Sequence, residues 1–395
     1  MSRRALAAIC LAFAFAAGPL CAAPSKPPYE LVRSLHALQD QIVLGNRTAR
    51  IAVSSLAAEL ATRLLSYNPS VWREPRNARA IVTYVLSGGS PRVAETILAS
   101  GDCAPQEKTL VEAAVAYSEG HVTSARSLLA NIDARTLEPI VGGHIALAQA
   151  ALVASKDPYK AIELLDVARV LAPGTLIEEA ALRREIFIIN ATGDFDRFIS
   201  LSGDYIRRFR NSTYADNFRE HFSDAIARLN IAGDSDQLAQ IDDALSSLPP
   251  DDQLKLYLMI ARASILMGKI SAAEFAAAKA ESLASPDSTE SGRAQLYDGA
   301  AQIFTPRYAR GDDMLDTLNA AHLSREEVGL KDAAQSVSQQ IHEWPQVDAR
   351  QPLDSAGAQP LPQQLKAVIQ SSDATMDAAQ KALAESDSLE ATSHE

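Results

Sequence analysis

The sequence predicts an all-α protein, a right-handed α–α superhelix of stacked helical hairpins with a disordered C-terminal tail, and three observations predict it. Aromatic residues make up only 6% of the chain while alanine recurs throughout, a balance that suits closely packed helices better than a β-sandwich. Apolar residues fall at i, i+3, i+4 and i+7, as in Leu110, Val111, Ala114, Val115 and Tyr117, with no strand alternation. A turn followed five residues later by a small or apolar residue recurs along the chain: Gly120 with Ala125, Lys156 with Ala161, Gly193 with Phe198, Gly233 with Leu238, Gly268 with Ala273. Its separations are 36, 37, 40 and 35 residues, the period of a helical-hairpin array.

Composition bounds the function classes. With 47% hydrophobic and 22% charged residues, the 395-residue chain has the means to bury a core. Its net charge of −12, from 37 basic and 49 acidic residues, argues against nucleic acid or anionic lipid as a partner, because each requires a basic footprint.

Residues 1–23 have the order of a secretory signal peptide. Arg3 and Arg4 precede an apolar run from Ala5 to Ala17, Gly18-Pro19 breaks it, and Cys21-Ala22-Ala23 offers small residues for cleavage after Ala23. The run is 13 residues long, short of the roughly 20 that a membrane span needs. No later stretch reaches 18 apolar residues, so the mature chain is expected to be exported, periplasmic and without a transmembrane segment. Bulky Leu20 before Cys21 disfavours lipidation. Cys103 then remains alone and forms no intrachain disulfide; a small residue tolerated in the Gly101-Asp102-Cys103 turn is favoured over an intermolecular bridge.

Residues 24–74 read as an N-terminal helical region, with helices at Tyr29–Val43 and Thr48–Tyr67 and a break at Asn68–Trp72. Hairpins are expected over residues 75–344, where Gly45 and Gly89 mark looser turns at and before their start. The unit resembles the tetratricopeptide repeat: Ala161, Ala168 and Pro173 stand where that family places two small residues on its second helix and a terminating proline, and Ala273, Ala280 and Pro286 repeat the pattern. Small residues let two helices approach, and proline, lacking an N–H, ends the second. The aromatic positions of the family's first helix are mostly unfilled. Residues 345–395 turn to Pro, Gln, Ser and Asp and read as disordered, apart from weak helical periodicity over Pro362–Ser386 that would either stay a tail or dock on a partner.

Catalytic and metal chemistry is not visible. The seven histidines are scattered, with no His-x-x-x-His. Gly268-Lys269 continues into Ile270 and makes no P-loop, and Gly88-Gly89-Ser90-Pro91 lacks a preceding strand. Asp312, Asp313 and Asp316 after Gly311 lack the glycine and glutamate of a calcium loop and are expected to cap a following helix. Glu281-Ser282 and Glu290-Ser291 sit in repeat sequence without a glycosidase domain around them. The chain is therefore expected to be no enzyme, with no catalytic residue, cofactor, metal or small-molecule substrate.

Two stretches could form a protein-binding face. Ile177–Glu185 contains a Glu179–Arg183 pair at i, i+4, together with Arg184, and could equally be a charged outer face. Tyr205-Ile206-Arg207-Arg208-Phe209-Arg210-Asn211-Ser212-Thr213-Tyr214 concentrates arginine and aromatic residues, the types that dominate interface energetics. Candidate contacts are Arg183, Arg184, Tyr205, Arg207, Arg208, Arg210 and Tyr214, against the alternative that the aromatics are core and the arginines solvate a helix end.

Several segments together, Tyr29-Glu30-Leu31-Val32-Arg33-Ser34-Leu35, Gln39-Asp40, Trp72–Ala80, Pro173-Gly174-Thr175 and Glu178–Glu185, resemble the MotC family of periplasmic motility proteins from alpha-proteobacterial flagellar motors. The resemblance implies a non-catalytic accessory that associates with the periplasmic part of the stator protein MotB and supports torque generation and motility. The expectation is an exported superhelix whose concave face binds a protein. The alternative from another class is a cell-envelope assembly chaperone or scaffold unlinked to motility.

Overall fold

A computed structural model describes residues 26–229 and 235–342; the signal segment, the turn at Gly233 and the tail lie outside the described residues. The described residues form helices and no strands. Two hairpin helices come first, α1 (Pro28–Val43) and α2 (Arg47–Leu65). Seven further hairpins follow: α3 (Pro75–Leu86) with α4 (Pro91–Ser100), α5 (Lys108–Ser118) with α6 (Val122–Leu129), α7 (Pro139–Val153) with α8 (Pro158–Leu171), α9 (Leu176–Thr192) with α10 (Phe195–Arg208), α11 (Ala215–Arg228) with α12 (Ser235–Ser246), α13 (Pro250–Leu266) with α14 (Ile270–Leu283), and α15 (Thr289–Gln302) with α16 (Tyr308–Thr317). α17 (Arg325–His342) ends the series. The chain divides into two units after Ser338, and the description that follows concerns the first.

Local chemistry sets the helix ends. Asn46, Asp157, Asp194 and Ser288 each cap a helix by accepting from a backbone N–H three residues on, in α2, α8, α10 and α15. Proline opens α1, α3, α4, α7, α8 and α13, where its missing N–H leaves no bond unmade. The small residues that suggested the repeat do sit at the crossings: Ala161, Ala168, Ala273 and Ala280 are fully buried. Pro173 and Pro286 follow the ends of α8 and α14 as expected. In the turn after α3 the left-handed residue is Gly88, at φ +89°, while Gly89 lies against the ring of Tyr84, so the turn falls one residue earlier than the sequence period suggested. Gly311 lies inside α16, so Asp312, Asp313 and Asp316 are not its caps. A Cβ at Gly311 would come within 2.8 Å of the Gly299 carbonyl, which makes this glycine a close-approach residue between α15 and α16. Cys103 is buried, and burial together with Glu107 and Glu112 pushes its thiol pKa upward.

The first helices of successive hairpins form a layer: α3 packs on α5 and α7, α7 on α9, α11 on α13, and α13 on α15. The N-terminal hairpin does not extend this series. Instead α1 lies across the layer, packing on α3 and α9 and touching α7 through the rings of His36 and His144. Polar bonds fix its whole length. Asn77 Oδ1 accepts from the Tyr29 amide, Gln39 Nε2 donates to the Ser87 carbonyl, and Asp40 Oδ1 accepts from the Leu176 amide. Along α3 to α9, then, the layer of first helices is covered by a helix of the same chain.

The buried apolar residues fall into two clusters. One gathers α1 through α8 with Ile177 and Ala181 of α9; the other begins at Leu182, Ile186 and Ile189 of α9, takes in Val43 and Ile162, and runs through α15 to Ala334 of α17. α9 is the shared wall.

Candidate protein-binding surface

The first stretch nominated from sequence lies on α9 itself, the second packs against it, and the carboxylates of the first turn inward. On α9, Glu178, Glu179 and Glu185 are 3%, 0% and 0% exposed. The reading of Ile177–Glu185 as a charged outer face is therefore corrected, and the pairing of Glu179 with Arg183 is replaced by other partners. Glu179 accepts from the Tyr205 hydroxyl at 2.7 Å and the Ser212 hydroxyl at 2.6 Å. Glu178 accepts from the Gly174 amide and pairs with Arg208 at 2.6 Å. Glu185 pairs with Arg169 and Arg197, each at 2.8 Å, and Asp166 joins both arginines from the solvent side. Burying a carboxylate is costly unless it is neutralised and hydrogen-bonded. Glu178 and Glu185 each gain a guanidinium, whereas Glu179 has two hydroxyl donors on Oε1 and its buried Oε2 has no partner. Burial raises the pKa of Glu185, opposed by the Arg169 hydrogen bond and the two guanidinium charges. The Tyr205 phenol is pushed above its ordinary value, first by burial and then by the Glu179 carboxylate it bonds.

This network sorts the seven candidates. Tyr205 is core, its ring centroid 3.9 Å from that of Phe218. Arg183 lies 4.6 Å over the Tyr214 ring, half-buried, and Arg208 is committed to Glu178. Arg184, Arg207 and Arg210 are exposed, Arg207 pairing with Asp204 one turn away. The structure thus keeps an arginine-rich outer rim but withdraws the aromatic side chains that were to accompany it.

Partners the sequence reading passed over come from the N-terminal hairpin. Arg50 of α2 stacks on the other approach to Tyr214, 5.3 Å from its centroid. The Thr213 amide donates to the Ile42 carbonyl at 3.1 Å. Gly45, at φ +91°, turns the chain directly beneath Asn211, where a Cβ would come within 2.4 Å of the Asn211 carbonyl oxygen. Beside this corner Leu44 and Ile51 are 69% and 76% exposed, and Arg47 is exposed as well. The α1–α2 corner thus lies against the segment 211–214, with exposed arginines on both elements (Arg47, Arg207, Arg210) and exposed Leu44 and Ile51 at the corner.

A second constellation lies under α1. His36 and His144, 108 positions apart in sequence, have ring centroids 5.6 Å apart, and Ser87 Oγ lies 3.3 Å from His144 Nε2. His36 Nε2 is shielded from solvent without a hydrogen-bond partner. Burial lowers the pKa of His36 to about 4 and that of His144 to about 3, the His36 charge adding to the second. Both rings are neutral at pH 7. Among the described residues, no three His, Cys, Asp or Glu side chains come together in a way that could hold a metal ion, and no helix is long and apolar enough to cross a membrane.

Comparison with known proteins complements this geometry. The family described as Chemotaxis protein MotC matches residues 1–395. The Chemotaxis protein MotC of Rhizobium meliloti (strain 1021) is 30% identical over 335 residues, covering 84% of this chain and 74% of that protein. Among solved structures, the TPR domain of P58(IPK) aligns over 75% of this chain and 84% of its own at 13% identity, with a TM-score of 0.27.

Proposed function

The chain belongs to the Chemotaxis protein MotC family, and from that membership we propose that it is a non-catalytic periplasmic accessory of the flagellar motor. It associates with the periplasmic part of the stator protein MotB and supports torque generation and motility. The family match along the whole chain carries this reading. The arginine and aliphatic surface around Arg207, Arg210, Leu44 and Ile51 supports it, because arginine beside apolar side chains supplies both charge-assisted bonds and desolvated area. The partner is held by burial and ion pairing, in a productive conformation favoured by mass action.

The test is co-purification of the mature chain with the periplasmic region of MotB, paired with swimming speed in a deletion strain. Capture together with slowed swimming supports the reading; a strain that swims at wild-type speed overturns it. The geometry selects the variants. Arg208→Ala would strip a buried glutamate of its counterion and weaken the fold itself, whereas Arg207→Ala with Arg210→Ala alters exposed side chains. That pair is expected to lower affinity about tenfold with an unchanged melting temperature, and unchanged affinity rejects this face.

A further inference from the structure

We propose that a pocket between α6, α7 and α8 binds an N-acylated aliphatic amino-acid carboxylate, the chemistry shared by a free N-acyl amino acid and by the last residue of a polypeptide. The pocket exists because α6 stops at Leu129, and the segment to Pro139 drops onto α7 as a single short turn (Ala134–Thr136). Gly142 of α7 permits that approach: a Cβ there would stand 2.3 Å from the Ala134 carbonyl oxygen. Gln149 Nε2 holds the segment down by donating to the Leu129 and Ile132 carbonyls at 2.9 and 2.8 Å. Asp133 caps the turn by accepting from the Arg135 amide. The resulting cavity is tied at both ends and has a volume of about 390 Å³, within the range of small-molecule sites.

Its walls define the ligand. Leu129, Ile132, Leu152, Leu164 and Val167 are branched aliphatics, and no aromatic ring lines the space, so the body of the ligand is aliphatic. Three cations, Arg126, Arg135 and Lys160, stand against one carboxylate, Asp133, in a chain whose overall charge is strongly negative. Arg135 and Lys160 are already engaged with Asp133 and Glu163. Arg126 has no carboxylate partner among the described residues; its Nη2 is anchored on the Leu152 carbonyl at 2.9 Å, and its Nε has no bond. A fixed, uncompensated guanidinium beside apolar walls suits a single carboxylate. Gln149 supplies the complement: both carbonyls it serves use its Nε2, so its Oε1, shielded from solvent, is left without a protein partner, and a ligand N–H reaching it would complete its bonding. An acylated amino group next to a carboxylate meets both needs. No bond is made or broken there; the site recognises and holds.

The experiment uses the full chain, titrated calorimetrically with N-acetyl-L-leucine, with N-acetyl-L-leucinamide, and with a blocked tetrapeptide ending in a free leucine carboxylate. N-acetyl-L-leucine or the tetrapeptide is expected to saturate one site, with the amide at least about tenfold weaker, as loss of a charged hydrogen bond predicts. Tighter binding of the tetrapeptide assigns the site to chain ends, and its exclusion assigns it to small acids. Arg126→Gln should weaken binding about tenfold. Leu164→Trp, which fills the cavity from α8 and leaves Arg126 in place, should abolish it. Absence of saturable binding up to about 10 mM, equal binding of acid and amide, or binding undiminished in Leu164→Trp overturns the proposal.

Discussion

Glu179 and Tyr205 show what is at stake in a single bond. Tyr205→Phe keeps the ring and its packing on Phe218 but removes a donor from a carboxylate with no access to water. A loss of about 1–3 kcal/mol is expected in urea unfolding, the range for stripping a partner from a buried polar group; an unchanged midpoint would mean that Ser212 alone satisfies Glu179. The histidine pair gives a prediction of opposite chemical sense. In the unfolded chain each imidazole takes up a proton below its ordinary value of 6.5, but in the native fold His36 does so only below about 4 and His144 below about 3. The unfolded chain therefore binds more protons in that window, and stability falls as pH drops from 6.5 toward 4, by up to about 1.4 kcal/mol per pH unit for each ring. Arg33, Arg76 and Arg79, which line the cavity beside His36, oppose protonation, while Asp40 and Glu138 in the same lining favour it. His36→Phe should flatten the stability difference measured between pH 7 and about 4.5; the same slope in variant and parent would remove His36 as a source of it.

At the scale of elements, the α1–α2 corner and the α7–α8 crossing invite substitution. Gly45→Ala combines a left-handed φ with a clash against the Asn211 carbonyl. It is expected to cost more than about 1 kcal/mol and to speed amide exchange at Thr213, whose bond to Ile42 the corner positions. Ala161→Leu forces extra volume into a closely packed crossing, with a loss of about 1–3 kcal/mol in thermal unfolding. The hairpins themselves were legible in the sequence because helical periodicity, turn glycines and Ala–Ala spacing are all written within 35 to 40 residues. What could not be read is non-local. Nothing near Ile177–Glu185 in sequence announces that Arg169, Arg197, Tyr205, Arg208 and Ser212 converge on its glutamates. A run of five charges in nine residues then looks solvated when its three glutamates are interior. His36 and His144 likewise carry no spacing signal, because their contact depends on where α1 lies and not on any repeat.

For the molecule as a whole, the arrangement of α1 matters most. Leu31, Val32 and Leu35 are buried against the layer of first helices, so α1 contributes core area and not only a cover. Leu35→Ala should therefore destabilise the chain by about 2–5 kcal/mol, as deletions of buried leucine do, with denaturant unfolding as the measure. A loss below about 0.5 kcal/mol would mean that the helix sits loosely on the layer. The two apolar clusters meet at α9 across paired carboxylates and guanidiniums. Oil does not run continuously through the fold, and a buried charged layer adds little net stability because desolvation offsets its Coulombic gain. α1 spans that divide, with Leu35 in the first cluster and Val43 in the second, and its Ile42 carbonyl accepts from the Thr213 amide. A pull on the segment just ahead of Pro28 would thus travel down one rod and arrive in the far half directly, skipping the intervening hairpins. Such a bypass keeps the two halves from being peeled apart one repeat at a time.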